Sequence, residues 1–127
     1  MIEGLFNQSN YIATKKMMDA TTLRQEAIAS NIGNVQTPGY KRIDVANDFK
    51  DAFAKALNGG GTEALKQLAP GIEVDSDATE RDETGNTVDL EKEILHLSEN
   101  QIAHHLEVKI VTGTLSKLRL AITGRPS

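Results

Sequence analysis

From Leu90 to Ile122 one stripe of positions advances in alternating steps of four and three: Leu90, Ile94, Leu97, Gln101, His104, Val108, Val111, Leu115, Leu118 and Ile122. Eight of the ten are apolar, and the pattern holds for more than four heptads, which is the signature of a coiled-coil seam. Leu95, Ile102, Leu106, Ile110 and Leu120 flank the stripe and widen it beyond the needs of a two-stranded coil, so the helix has several neighbours to find. A helix of about 33 residues is about 50 Å long at 1.5 Å per residue. Asp89 is its expected N-cap, with Glu91 and Glu93 in the first turn, where the helix dipole favours anions. Lys117 and Arg119 sit near the far end, and Thr123-Gly124-Arg125-Pro126 is the expected stop. Gly113 is the weak point, at a cost of about 1 kcal/mol relative to Ala.

A second helix is predicted from about Asn10 to Val35. Met18, Thr21, Gln25, Ile28, Ile32 and Val35 lie on one seam; Ala13, Met17, Ala20, Ala27 and Asn31 form an adjacent stripe of mostly small residues that lets helix axes come close. Thr37-Pro38-Gly39 ends it, because Pro38 drives Thr37 out of the helical region and Pro-Gly suits a type II turn. Between the helices, residues 58–88 hold seven acidic and two basic side chains, with turn signals at Gly59-Gly60-Gly61, Pro70-Gly71 and Gly85-Asn86. Leu65, Leu68, Ile72 and Val74 are their few large apolar residues, so this stretch is expected to be extended and mobile or docked externally.

The expected fold is all-α: long N- and C-terminal helices packed as an antiparallel coiled-coil pair around a long, partly irregular middle. The parts are residues 1–36, 37–88 and 89–127. At 127 residues the chain suits one domain, yet aromatics are 4% and Trp is absent, so it lacks the groups that usually supply much of a core. Two paired helices leave apolar faces uncovered. The chain is therefore expected to complete its core with copies of itself or with relatives, although the heptads alone serve an intramolecular bundle equally well.

Composition and spacing exclude much else. A net charge of −4 offers no basic face, so no nucleic-acid partner is expected. The chain has no cysteine, hence no disulfide, thiolate metal site or cysteine nucleophile. His96, His104 and His105 have no i, i+4 spacing and no HExxH context, which favours solvent or interface roles over a metal. Asp75, Asp77, Glu80, Asp82 and Glu83 lack the order of a calcium loop. Gly59-Gly60-Gly61 is not followed by Lys-Ser/Thr, so it is no phosphate loop and should tolerate substitution. Asn7-Gln8-Ser9 matches a glycosylation sequon only as short strings often do. No nucleophile, base and orienting group come together, so neither enzyme chemistry, cofactor nor small-molecule substrate is expected. No apolar run approaches 18 residues, and Met1–Phe6 lacks the pattern of a cleaved leader.

Residues Ala27 to Tyr40 read AIASNIGNVQTPGY, followed by Lys41-Arg42. This resembles the N-terminal signature of the bacterial flagellar rod and hook proteins. Asn86-Thr87-Val88-Asp89-Leu90-Glu91-Lys92-Glu93 and Asn100-Gln101 resemble the C-terminal signature of the short proximal-rod members, of the B type rather than the sister C type. The resemblance spans about residues 12–46 and 84–123. Gly33, His104-His105 and Gly113 depart from the usual pattern and loosen the helices locally.

The resemblance implies a structural subunit whose terminal helices pack together and whose copies build a helical tube. That tube is the rod, the drive shaft crossing the periplasm. It also implies self-association, contacts with other rod proteins, a rod-base adaptor and the inner-membrane ring, and passage through the flagellar type III export apparatus without a cleaved signal peptide. Repeated heterologous contacts generate such an open helix. The expected assembly residues are Ala27, Ile28, Asn31, Ile32, Asn34, Thr37, Pro38, Gly39, Tyr40, Leu90, Ile94, Leu97, Gln101, Val108, Val111, Leu115, Leu118 and Ile122. Tyr40 is expected to pack on a neighbouring subunit. Asn31, Asn34 and Gln101 are read either as caps and polar surface or as hydrogen-bonding groups that fix helix register. A competing reading from another class is a soluble helical adaptor or export chaperone, which explains the seam and the acidity but not the TPGY signature.

Overall fold

The computed structural model describes residues 8–124. Among them the order is α1 (Gln8–Gly33), β1 (Ile43–Val45), α2 (Asn47–Lys55), α3 (Gly61–Lys66), β2 (Ile72–Val74) and α4 (Leu90–Thr123). A π-helical turn, Ala56–Gly60, joins α2 to α3. The segment read for a leader and the last part of the expected stop, Arg125-Pro126, lie outside the described residues.

α4 runs unbroken for 34 residues, through Gly113. The Asp89 carboxylate accepts from the backbone N–H groups of Glu91 and Lys92 at 3.1 and 3.3 Å, satisfying two donors that the first turn leaves unpaired. At the other end Gly124 takes φ 68°, and its N–H reaches the Leu120 carbonyl at 2.7 Å. Glycine takes this left-handed geometry without penalty. α1 stops two residues earlier than periodicity predicts, because Asn34 and Val35 already belong to the turn that Pro38 and Gly39 complete.

α1 and α4 pack along each other, but the fully buried positions of α4 are not those of the apolar stripe. The buried residues of α4 are Glu93, Asn100 and Glu107, one heptad apart. Those of α1 are Ala13, Thr14, Thr21, Ala27, Ile28 and Asn31. Their hydrogen bonds pair Asn31 with Glu93, Gln25 with Asn100 and Thr21 with Glu107. The physical reason for this offset lies in α1, whose small and hydroxylated face offers close approach and hydrogen-bonding groups but few large side chains to receive a leucine stripe.

The middle is less extended than its composition predicts. α2, the π-turn and α3 fold back on the first half of α1. Ala13, Ala56 and Leu65 form a small core there, edged by Ile12, Phe53, Ala64 and Leu68. Phe49 is buried and stacks on Phe53 at 5.8 Å. The Ser9 and Thr62 hydroxyls meet at 2.8 Å, and the Lys16 ammonium donates to the Leu68 carbonyl at 2.6 Å. The segment is acidic on its surface yet has enough Phe, Leu and Ala on one side to cover α1. The glycine run is correspondingly less tolerant than expected: a Cβ on Gly60 would lie 2.8 Å from the Ala64 methyl, and Gly61 holds φ 72°.

β1 and β2 pair antiparallel with Ile43 opposite Val74, Asp44 opposite Glu73 and Val45 opposite Ile72. This ribbon carries Arg42 and Asp75 to the junction of the two long helices, where the Asp75 N–H donates to the Arg42 carbonyl at 2.8 Å.

Candidate functional site

The two signature segments, far apart in sequence, close on one another. The end of α1 leaves backbone carbonyls without helical partners. The Asn86 side-chain amide donates to three carbonyls in this turn, Asn34, Val35 and Thr37, at 3.0, 3.2 and 2.8 Å. Its own side-chain oxygen accepts from the Val88 N–H at 2.7 Å. The Arg81 guanidinium adds a bond to the Val35 carbonyl at 3.1 Å. Backbone bonds run alongside, from Gly39 N–H to the Thr84 carbonyl at 2.8 Å and from Thr87 N–H to the Tyr40 carbonyl at 3.1 Å. Gly39 sits at φ 74°, the left-handed conformation that the Pro-Gly turn demands.

Beneath this cap, Asn31 is fully buried and uses all of its hydrogen-bonding capacity. Its amide donates to the Ile43 carbonyl at 2.8 Å and to Glu93 Oε2 at 3.3 Å. Its oxygen accepts from the Ile43 N–H at 3.0 Å and the Tyr40 hydroxyl at 3.2 Å. A buried amide satisfied four ways fixes the chain's path after α1, because any shift of register orphans several groups together.

A charge network adjoins it. Glu93 is 0% exposed and accepts from Arg42 Nε. The other two guanidinium nitrogens of Arg42 donate to Asp75 at 2.8 Å and Asp44 at 3.1 Å. Asp44 also accepts from Arg24 of α1 at 3.2 Å and from the Val45 N–H at 2.7 Å. Arg24 in turn lies 3.3 Å from His96 of α4. Burial opposes the Arg42 charge, but Glu93 and Asp44 outweigh it and hold the guanidinium above its ordinary pKa. Burial likewise opposes ionisation of Asp44, and the Val45 N–H, Arg24 and Arg42 together bring its carboxyl below the usual range. The planar fork of Arg suits this three-carboxylate cradle in a way a point-charge Lys does not.

The adjoining surface of α4 has another chemistry. Leu90, Ile94, Gln101, Val108, Leu115 and Ile122 are exposed, Ile94 at 51% and Ile122 at 75%. Leu95, Ile102, Leu106, Ile110 and Leu120 are exposed beside them. Leu97, Val111 and Leu118 are half-buried. Scattered single apolar residues on a surface need no explanation, but a contiguous row of this extent does.

The expected assembly residues thus divide. Ala27, Ile28 and Asn31 are buried inside the subunit; Ile32, Asn34 and Tyr40 are half-buried; Thr37, Pro38 and Gly39 lie on the surface of the turn. Tyr40 spends its hydroxyl within the subunit, on Ser30 at 2.9 Å and on Asn31. Asn34 behaves as a local cap, donating to the Ser30 carbonyl at 2.8 Å. Gln101 is exposed, and the register-fixing position falls one residue earlier: Asn100 donates to the Thr21 carbonyl at 2.9 Å and to Gln25 at 3.2 Å. His104 and His105 line an open groove between α1 and α4 with Thr22, Gln25 and Glu26. No group of three metal-ligating side chains occurs among the described residues.

Sequence reasoning missed Arg42, Asn86, Glu93, Asn100 and Glu107 as structural determinants. A signal for three of them existed: Glu93, Asn100 and Glu107 repeat every seven residues, a polar heptad one step behind the apolar one.

The long helix thus buries a row of polar groups against α1 and leaves many of its large apolar side chains uncovered. A family model described as flagella basal body rod protein matches residues 18–41, which includes the asparagine-rich end of α1 and the TPGY turn. The chain is 32% identical over 109 residues to the flagellar basal body rod protein FlgB of Cereibacter sphaeroides, covering 80% of this chain and 84% of that one. It is 29% identical over 113 residues to FlgB of Bacillus subtilis (80% and 84% covered) and 28% identical over 123 residues to FlgB of Borreliella burgdorferi (84% and 90% covered). The chain belongs to the flagellar basal body rod protein family.

Proposed function

We propose that this protein is a structural subunit of the proximal rod of the bacterial flagellum, the drive shaft that carries motor torque across the periplasm to the hook and filament. The observation that carries the reading is the uncovered leucine- and isoleucine-rich face of α4 on a chain that matches FlgB relatives over most of its length. In this reading α1 and α4 form an antiparallel coiled-coil pair, since their bonded partners rise along one helix as they fall along the other. The pairs stand side by side along the rod axis and bury their apolar faces against copies and other rod proteins, giving a tube. Stiffness follows from many small contacts between close-packed helices.

The role is structural rather than catalytic. Residues 1–36 and 89–127 form the rod core, and 37–88 cover its outer side. The subunit meets the rod-base adaptor and inner-membrane ring, and it reaches the basal body through the flagellar type III export apparatus without a cleaved signal peptide. No helix among the described residues is long and apolar enough to cross a membrane.

The test is to tag the protein in its own bacterium and probe detergent-purified basal bodies. Co-purification that resists washing supports the rod reading. A protein found wholly in the cytosolic fraction, with basal bodies intact, overturns it and promotes a soluble helical adaptor.

A further inference from the structure

One buried group in the helix pair has no part in the network around Arg42. Glu107, in the middle of α4, is 3% exposed and faces Thr21 of α1. Its Oε1 lies 2.8 Å from the Thr21 hydroxyl oxygen, and its buried Oε2 has no hydrogen-bond partner. The same Thr21 hydroxyl oxygen lies 2.8 Å from the Met17 carbonyl. A hydroxyl carries one hydrogen, and a backbone carbonyl can only accept. If Glu107 were ionised, one hydrogen would serve two acceptors, and one pair of oxygens at 2.8 Å would face each other with nothing between them.

We propose that Glu107 is held as the neutral carboxylic acid in the folded subunit, donating its proton to Thr21, which donates to Met17, so that the α1–α4 pair closes with uptake of a proton. The chain Glu107 O–H to Thr21 O–H to Met17 C=O then gives every short contact a hydrogen. It also leaves Oε2 as a carbonyl oxygen, for which a missing partner costs far less than for a carboxylate oxygen.

The surrounding charges do not rescue the anion. On α1, Lys15 lies over the Tyr11 ring, Lys16 is bonded to the Leu68 carbonyl, and Arg24 is engaged by Asp44 and His96. Asp19 and Glu26 of α1 are exposed. On α4, the exposed His104 imidazole is the group that acts on Glu107. Burial raises the Glu107 carboxyl above its usual value, and the Thr21 hydroxyl and His104 offset only part of that effect. The sign follows. A carboxyl whose folded pKa lies above its unfolded one contributes stability that is complete below the unfolded value, and that stability is lost as pH rises through the folded value.

The experiment compares full-length wild type with Glu107→Gln, whose amide supplies the donor at every pH. Urea midpoints are read by circular dichroism from acid to mildly alkaline pH, with trimethylamine N-oxide added to favour the folded form. The expected result is a gap in favour of the glutamine variant that is smallest in acid and widens with pH. Between the two pKa values the gap approaches tenfold in the unfolding constant per pH unit, the mark of one proton taken up on folding. Infrared spectra of the folded wild type, with glutamate carboxyls isotope-labelled, should show a protonated acid that disappears in Glu107→Gln. A gap that does not change with pH, or a folded wild type with no protonated carboxyl above the ordinary glutamate range, overturns the proposal. So does a wild type that stays unfolded at every pH in the osmolyte, because the clasp would then hold no isolated subunit together.

Discussion

The two faces of α4 invert the usual assignment of polar and apolar residues. Glu93, Asn100 and Glu107 are buried, while Ile94, Val108 and Leu115 are open to solvent. In a monomeric domain this arrangement would place the wrong set inside. It becomes intelligible when burial is divided between two stages. Polar groups fix the shape of the subunit, because hydrogen bonds and ion pairs are directional and tolerate one register. In the proposed rod, apolar groups are kept for contact between subunits, because the hydrophobic effect is non-directional and accumulates over area. The lesson concerns specificity: a buried polar seam contributes little net stability but penalises every alternative pairing.

The sharpest way to break this contrast is to place a charge on the open face. Leu115→Asp should abolish rod assembly and motility, since an uncompensated buried charge costs about 3–5 kcal/mol at each contact. Helicity of the isolated chain should be unchanged, because Leu115 is exposed there. Wild-type swimming by this mutant would remove the apolar stripe from the interface. On the closed face, Glu93→Ala should have the opposite profile. It leaves Arg42 Nε and one Asn31 N–H without an acceptor, while Asp75 and Asp44 still hold the rest of the guanidinium, and unfolding of the isolated subunit should become easier by about 1–3 kcal/mol. A urea midpoint of Glu93→Ala equal to that of wild type would show that the buried network does not hold the subunit together.

Asn86→Ala should also cost about 1–3 kcal/mol, by leaving carbonyls at the end of α1 without their shared donor. Local hydrogen exchange at residues 34–40 would detect it. The Asp44 cluster sharpens the contrast through pH. The Asp44 carboxyl is lowered in the folded state, so its contribution is present above the ordinary aspartate value and is lost as pH falls through the folded one. Wild type should therefore lose its advantage over Asp44→Asn only in strong acid, whereas the Glu107 effect grows toward alkaline pH. The smallest effect is expected from Asp89→Ala, about 1 kcal/mol for the loss of the N-cap, seen as fraying of the first turn of α4.

Much of this was legible before the structure, and the parts that were not share a physical cause. The long helix, its Asp89 cap and its Gly124 stop follow from local rules, since capping and φ > 0 depend on residues within a few positions. The turn after α1 was legible for the same reason. The identity of the buried face was not. Hydrophobic periodicity marks where a helix wants burial, but it cannot say whether that burial is met within a chain or between chains. The polar heptad passed unnoticed because Glu, Asn and Glu look like solvent-facing residues until Arg42, Thr21 and Asn31 are brought opposite them. Those partners lie 51 to 86 residues away in sequence. The middle segment misled for a related reason: the charge total of residues 58–88 hid Leu65 and Leu68, which pack with Phe53 and Ala56 just before them. Tyr40 was legible as important, but its bonds within the subunit were not, since nothing local places its hydroxyl on Ser30 and Asn31.

The claim that the apolar face of α4 joins subunits while its polar face closes the monomer can be tested most directly by photo-crosslinking in assembled flagella. A benzophenone amino acid is introduced at Ile94, on the open stripe, and purified basal bodies are irradiated. The account predicts adducts of higher mass that contain a second copy of this chain or another rod protein. A crosslink confined to the same chain, in basal bodies that have incorporated the protein, would contradict it.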